Sequence, residues 1–380
     1  MHASSPIAAA SHADPYPYYA SLPDFAYDAA SAMWIASSAA VIEEVMTNPH
    51  CLVRPVAEQV PKAIAGTTAG AVFARLVRMN EGAAHAMPKQ VIGQALAALD
   101  LRGASERTAQ LAAMLGKRYR LPDGAGISGW MFDLPTYTVA ALLGWEDEAL
   151  PQITLLTARF VRCLSPLSTP EQLSCASDAA HALLERFAEL SSAGMAGDMR
   201  RRAALAGWND DAAIVANMVG LLSQTHEATA GLIGNSVVAL LRDPALQQRL
   251  RDDARLVDAF VAEVALRDPP VQNTRRFVAQ ATSVAGLALP PGAVIVLLLG
   301  AAGRREDFAL ARSTRTLPGF GHGRHLCPGQ ALALTIATTA VRYLLAMTLP
   351  LSLEEIAWTY APSANGRLPQ FSPRSIAIRT

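Results

Sequence analysis

One stretch restricts this chain more than any other: Phe320-Gly321-His322-Gly323-Arg324-His325-Leu326-Cys327-Pro328-Gly329, followed at once by an apolar helical pattern over residues 330–345. A single cysteine stands in a glycine-rich loop at a helix start. Gly323 and Gly329 permit tight turns that bring backbone close to the sulfur. Exposed N–H groups and the helix N-terminus favour a thiolate over a thiol. Such a thiolate is a nucleophile or a metal ligand. The other cysteines, Cys51, Cys163 and Cys175, are remote in sequence, which speaks against zinc and iron–sulfur clusters, since each takes several sulfurs. A lone thiolate suits the axial position of heme iron. A buried structural cysteine is the plainer alternative.

Phe320, Gly323, Cys327 and Gly329 together read Phe-x-x-Gly-x-x-x-Cys-x-Gly, which resembles the heme-binding loop of the cytochrome P450 family. The resemblance spans residues 14–379 and is strongest from residue 221 onward. It implies a mainly α fold with small β-sheets, the cytochrome P450 fold, as one domain over residues 1–380. It implies heme b (iron protoporphyrin IX) held by Cys327 in a loop shaped by Phe320, Gly321 and Gly329. His325 falls where the family places a basic residue against a heme propionate. Related enzymes carry His-x-x-x-Arg ahead of this region. Here His85 and Lys89 hold those places, one helical turn apart, with lysine a point charge rather than a bidentate fork. An exposed helix face is the alternative there. Arg276 matches a second propionate contact.

A long helix over residues 212–241 starts at the cap Asn209-Asp210-Asp211. Its centre reads Gln224-Thr225-His226-Glu227-Ala228-Thr229, similar to the family's Ala-Gly-x-Glu-Thr-Thr. Glu227 holds the acid position, Ala228 replaces the usual alcohol and Thr229 keeps the next place, so these three are the candidate catalytic positions. A polar cluster inside an apolar helix is costly unless paired or functional. A polar turn bridged to water is the other reading. Gln224, Thr225, Val271 and Asn273 are the candidate substrate-pocket residues, with Leu222 and Ala228 as apolar lining. Glu263 matches the family's Glu-x-x-Arg, but Leu266 stands at the Arg place. Arg267, four residues after Glu263, can still pair with it, or the two form a surface pair worth a few tenths of a kcal/mol.

The resemblance implies a monooxygenase that inserts an oxygen atom from O2 into a small or medium-sized organic molecule. On family analogy that molecule is a natural-product intermediate. Electrons would come from NAD(P)H through a ferredoxin and a ferredoxin reductase. The partner would be steered to Arg304, Arg305, Arg312, Arg315 and Arg324, opposed only by Glu306 and Asp307. The missing alcohol leaves two alternatives open: a peroxide-using or non-oxygenase enzyme, and a catalytically silent heme-binding protein.

Lys+Arg and Asp+Glu number 32 each, which gives no reason to invoke nucleic acid. The chain is 51% hydrophobic, yet no apolar run approaches the ~20 residues that span a bilayer. No Lys or Arg precedes Arg54, so a basic signal-peptide region is missing. The cysteine spacing suits neither a disulfide framework nor zinc. These points predict a cytoplasmic protein away from membranes, and a monomer is expected. Locally, the sequence predicts a strand over 32–36, a helix over 39–46 ended by Asn48-Pro49, and a loop over 52–70. Further on it predicts a capping box from Thr169 to Gln172, a break over 191–197, a helix from Asp243-Pro244 and another over 255–266. A hairpin is expected from 284–289 and 294–299 around Pro290-Pro291-Gly292.

Overall fold

The computed structural model describes residues 5–121, 124–190, 194–303, 310, 316–347 and 356–373. Its axis is the helix Asp211–Arg242, of 32 residues and roughly 48 Å long at 1.5 Å per residue. Asp210 caps it by accepting from the Ala213 N–H at 2.9 Å, which satisfies one of the free donors of the first turn. This central helix is buried over most of its length. It packs against the helix Gly124–Leu143 on one side and against Gln330–Ala346, the helix after the cysteine loop, on another. Two glycines allow close approach on a further side. A Cβ at Gly231 would lie 2.6 Å from Pro270 Cβ, and one at Gly234 would lie 2.5 Å from Pro369 Cγ.

Helix ends follow the local chemistry. Thr169 and Gln172 form the expected capping box, at 2.9 and 3.3 Å, with Pro170 in the first turn of Pro170–Glu189. The helices Ala39–Thr47, Pro244–Asp252 and Val257–Arg267 also start within two residues of their predicted places. The expected loop over 52–70 holds the short turn Lys62–Ile64 and the start of the helix Thr68–Arg75. Gly194–Leu205 is helical although it begins inside the expected break; residues 191–193 lie outside the described residues.

The strands are β1 (Phe25–Asp28), β2 (Met33–Ala36), β3 (Cys51–Leu52), β4 (Asn273–Val278), β5 (Thr282–Val284), β6 (Leu287–Leu289), β7 (Val294–Leu298), β8 (Ile356–Tyr360) and β9 (Pro369–Pro373). A five-stranded sheet runs β1-β2-β7-β4-β3, and β5-β6 and β8-β9 are two-stranded. The predicted hairpin is therefore corrected. The tight turn is Ala285-Gly286, both at positive φ, which joins β5 to β6 with the twist such hairpins need. β7 instead runs parallel to β2 and antiparallel to β4. Its apolar run, buried from Ile295 to Leu298, suits a strand covered on both faces.

Two charged groups are buried away from the cysteine loop. Glu263 is 4% exposed, so it is not part of a surface pair. Arg367 is fully buried. It pairs with Asp268 at 2.6 Å, donates to the His12 and Ala13 carbonyls and stacks on the Tyr360 ring at 3.7 Å. No described helix is long and apolar enough to cross a membrane.

Candidate functional site

The cysteine loop begins at the turn Pro318–Phe320 and closes where the Cys327 N–H donates to the Phe320 carbonyl at 2.8 Å. The left-handed positions are Gly321 (φ +78) and Gly323 (φ +59). Gly329 has φ −94 and stands at the N-cap of Gln330–Ala346, which corrects its expected role as a tight turn. Its part is chemical: the Gly329 N–H bonds the Cys327 sulfur. Burial nevertheless pushes the Cys327 thiol up, with the Gly329 N–H and the Lys89 ammonium pulling it down. The loop by itself therefore does not secure the expected thiolate; a metal ion on the sulfur deprotonates a thiol outright.

His85 and Lys89 lie on the helix Ala83–Ala97, which crosses the loop. The His85 ring sits 4.4 Å from that of His325, and Lys89 Nζ donates to the Leu326 carbonyl. Arg276, on β4, is also buried and donates to the Arg275 carbonyl at 2.8 Å. Glu81 joins the group together, and sequence reasoning missed it. Its carboxylate accepts from Arg324 Nε at 3.0 Å and the Val53 N–H at 3.2 Å, and meets His325 Nε2 at 3.1 Å. Burial raises the Glu81 pKa, but the hydrogen bonds and charges of His325 and Arg324 outweigh it and hold the group at about 2. Arg324 is thus turned inward, donating also to the Cys51 carbonyl, rather than offered to a partner. Arg304, Arg305, Arg312, Arg315, Glu306 and Asp307 lie outside the described residues.

Two nitrogens in this cluster, His85 Nε2 and Arg276 Nε, are buried without a hydrogen-bond partner. Burial, with His325 and Lys89 adding to it, brings His85 down to about 4, and burial brings Arg276 to about 10. Buried donors without acceptors are rare in folded proteins. Carboxylates of a bound group would answer both. A single cysteine sulfur and basic side chains at the propionate places form the donor set that heme takes, so the residues fit it. Among the described residues no three His, Cys, Asp or Glu side chains converge as a multi-ligand metal site requires.

The central helix faces this loop with its polar centre. Gln224 and Glu227 are exposed in an otherwise buried helix, and Thr225 and Ala228 are half-buried. A cavity of about 30 Å³ lies between Leu221 and Thr225 on one side and Gly329, Leu332, Ala333 and Ile336 on the other. Glu227 opens onto internal space: burial raises its pKa, against the pull of Arg162 and Arg78. His226 points the other way, with Nδ1 3.1 Å from Thr136 Oγ1 and its ring 5.5 Å from that of Phe132. Burial brings it to about 4, so it is neutral at pH 7. Thr229 is 2% exposed. Asn273 donates to the Ala364 carbonyl at 3.0 Å and Val271 bridges to Gly366, so both hold the 364–366 segment. Arg78 and Arg162 carried no motif signal.

Comparison with known proteins gives a consistent picture. The chain is 30% identical over 286 residues to cytochrome P450 144 of Mycobacterium tuberculosis, covering 70% of this chain and 64% of that protein. It is 35% identical over 144 residues to the biotin biosynthesis cytochrome P450 of Bacillus subtilis, covering 36% of each. The matches thus span less than two thirds of these relatives' own lengths. In fold it resembles P450BioI, solved in complex with hexadec-9Z-enoic acid-ligated acyl carrier protein, at TM-score 0.80 and 20% identity over 94% of this chain and 97% of that one. No family model matches the chain.

Proposed function

The chain belongs to the cytochrome P450 family, and we propose that it is a heme-thiolate monooxygenase acting on a small or medium-sized organic substrate. One observation carries the reading: beside a cysteine sulfur that accepts from the Gly329 N–H, His85 Nε2 and Arg276 Nε are buried without partners. In it Cys327 is the metal ligand, and Phe320, Gly321 and Gly329 shape the loop. His85, Lys89, Arg276 and His325 hold the propionates. Heme b bound there would supply dioxygen activation, its thiolate ligand favouring O–O cleavage.

The protein orients the substrate and handles protons. Burial brings the Glu227 pKa closer to neutral pH, as a group that both takes and gives protons requires. Ala228 offers no hydroxyl. Thr225, which lines the cavity, or a polar group of the substrate takes that place, because Thr229 is buried. Gln224, exposed on the same helix, adds a polar contact to the pocket, which Val271 and Asn273 support through the 364–366 segment. Electrons arrive from NAD(P)H through a ferredoxin and its reductase. The chain works as a monomer, one domain over residues 1–380, in the cytoplasm. The alcohol-free position 228 also favours a second reading, turnover driven by peroxide.

The test is optical. Reduced wild-type protein under carbon monoxide should show the red-shifted thiolate-type Soret band, and Cys327→Ser should lack it. A variant that keeps the band sinks the assignment. Turnover with a surrogate ferredoxin and reductase, set against turnover with hydrogen peroxide, separates the two readings.

A further inference from the structure

A second cavity, of about 190 Å³, lies at the edge of the five-stranded sheet, between β1–β2 and the segment that precedes them. In the antiparallel pair β1–β2, Ala26 stands opposite Ile35 and Asp28 opposite Met33. Side chains alternate along a strand, so Ala26 and Asp28 share one face of the edge strand. Tyr18, from the short helix Tyr16–Ala20, and Leu22 after it supply the facing wall. Ser37 holds the connection from helix to strand: its hydroxyl donates to the Pro23 carbonyl at 2.8 Å and its N–H to the Asp24 carbonyl at 3.0 Å. Ile35 is buried in a small core with Ala9, Tyr19, Val296 and Leu298, apart from the core around the central helix.

The charge in this cavity has one sign. The Asp28 carboxylate accepts from the Ser31 hydroxyl at 2.5 Å and the Ala30 N–H at 3.3 Å, bonds that hold it below the usual carboxylate range. Among the described residues no Lys or Arg pairs with it. None is close in sequence either: residues 1–53 hold Asp14, Asp24, Asp28, Glu43 and Glu44 but no Lys or Arg. Burial and the Asp28 charge push the Tyr18 phenol up, so it stays protonated. Tyr18 and the exposed Tyr27 add two aromatic rings to the lining. An aromatic face attracts a cation, and a carboxylate makes a charge-assisted bond to an ammonium. Leu22, Ala26 and Ile35 offer apolar surface alone, and an apolar cavity of about 150 Å³ holds a benzene ring.

We propose that this cavity is a small-molecule site for an organic cation built from one aromatic ring and an ammonium group, with the ammonium against Asp28 and the tyrosine rings and the hydrocarbon over Leu22, Ala26 and Ile35. The site goes beyond the monooxygenase reading and does not depend on it, since no lining residue belongs to the central helix or the cysteine loop. The competing role for Asp28 is only to close the β1–β2 turn through Ala30 and Ser31.

Isothermal titration calorimetry of the heme-loaded chain at pH 7 tests this with three one-ring probes of different charge: 2-phenylethylammonium, 2-phenylethanol and phenylacetate. The cation should bind about fivefold tighter than the alcohol, and phenylacetate should bind most weakly. Raised salt should weaken the cation more than the alcohol. Asp28→Asn should bring the cation-to-alcohol ratio close to one. Ala26→Leu should weaken both probes by filling the cavity. Both variants should keep the wild-type heme spectrum. Equal affinity of cation and alcohol in the wild type, or no binding of the cation, overturns the site, and that comparison needs no variant to fold. So does a cation preference that survives Asp28→Asn, which is what an amine nitrogen on the iron would give, with a shift of the Soret band beside it.

Discussion

Around Cys327 the charges answer one another within the protein. Glu81 is shared by His325, Arg324 and the Val53 N–H, and Arg324 continues to the Asn48 and Cys51 carbonyls. On the cleft side of the central helix they do not. Glu227 is exposed on that side, its pKa raised by burial against the pull of Arg162 and Arg78, and Arg78 Nε is buried without a hydrogen-bond partner. The first arrangement fixes a loop so that the sulfur is held in one place before anything binds. The second leaves one buried guanidinium nitrogen unsatisfied, at a cost in stability. The orphan nitrogens of His85 and Arg276 mark where the first arrangement is itself open.

The largest effect should come from the loop. Cys327→Ser should remove turnover with the ferredoxin system entirely, measured as product formed per NADH consumed. Glu81→Ala should strip the acid from a partly buried network and cost about 3 kcal/mol, read from the denaturant midpoint. In the wild type the Glu81 contribution is present above its unfolded pKa near 4.5 and is lost as pH falls toward about 2. A Glu81→Ala protein with wild-type stability would erase the contrast between the two regions.

On the cleft side the effects should be on chemistry. Glu227→Gln should lower oxygen-driven turnover about a hundredfold while peroxide-driven turnover falls less, because peroxide brings its own protons. Equal losses in both assays would remove Glu227 from proton handling. His226 sharpens the comparison from the buried side of the same turn. Its folded pKa of about 4 lies below the ordinary 6.5. The unfolded chain therefore binds more protons between those values, and stability falls as pH drops through that window. The slope from this group is at most about 1.4 kcal/mol per pH unit. His226→Asn should flatten it, and an unchanged profile would show that His226 is solvated. The smallest effect is expected at Ala228→Thr. It should improve coupling with apolar surrogate substrates and leave it unchanged or worse with a substrate that brings its own polar group.

Some of this was legible in the sequence because it is local. The capping box of Thr169 and Gln172, the Asp210 cap and the Cys327 loop are closed by bonds within a few residues, so the motif carries its own geometry. The polar centre of the central helix was visible too, as residue types that an apolar helix does not otherwise tolerate. Which of them faces the cleft was not, since His226 and Glu227 are neighbours in sequence and point apart. The predicted hairpin failed for a related reason: an apolar run such as β7 declares a buried strand but not its partners.

The sequence by itself determined several helix starts, the Thr169 and Asp210 caps and the reactive loop. Tertiary structure alone decided that Glu81 meets residues 324 and 325, that the charges of Arg78 and Arg162 act on Glu227, and that Arg367 is buried against Asp268 and Tyr360. Apart from Tyr360, seven residues before Arg367, those groups lie from 65 to some 240 residues apart along the chain. No propensity or spacing encodes such meetings. They form when the core closes, because burying apolar faces fixes which charged side chains are trapped together, and a trapped charge must find a partner or a ligand.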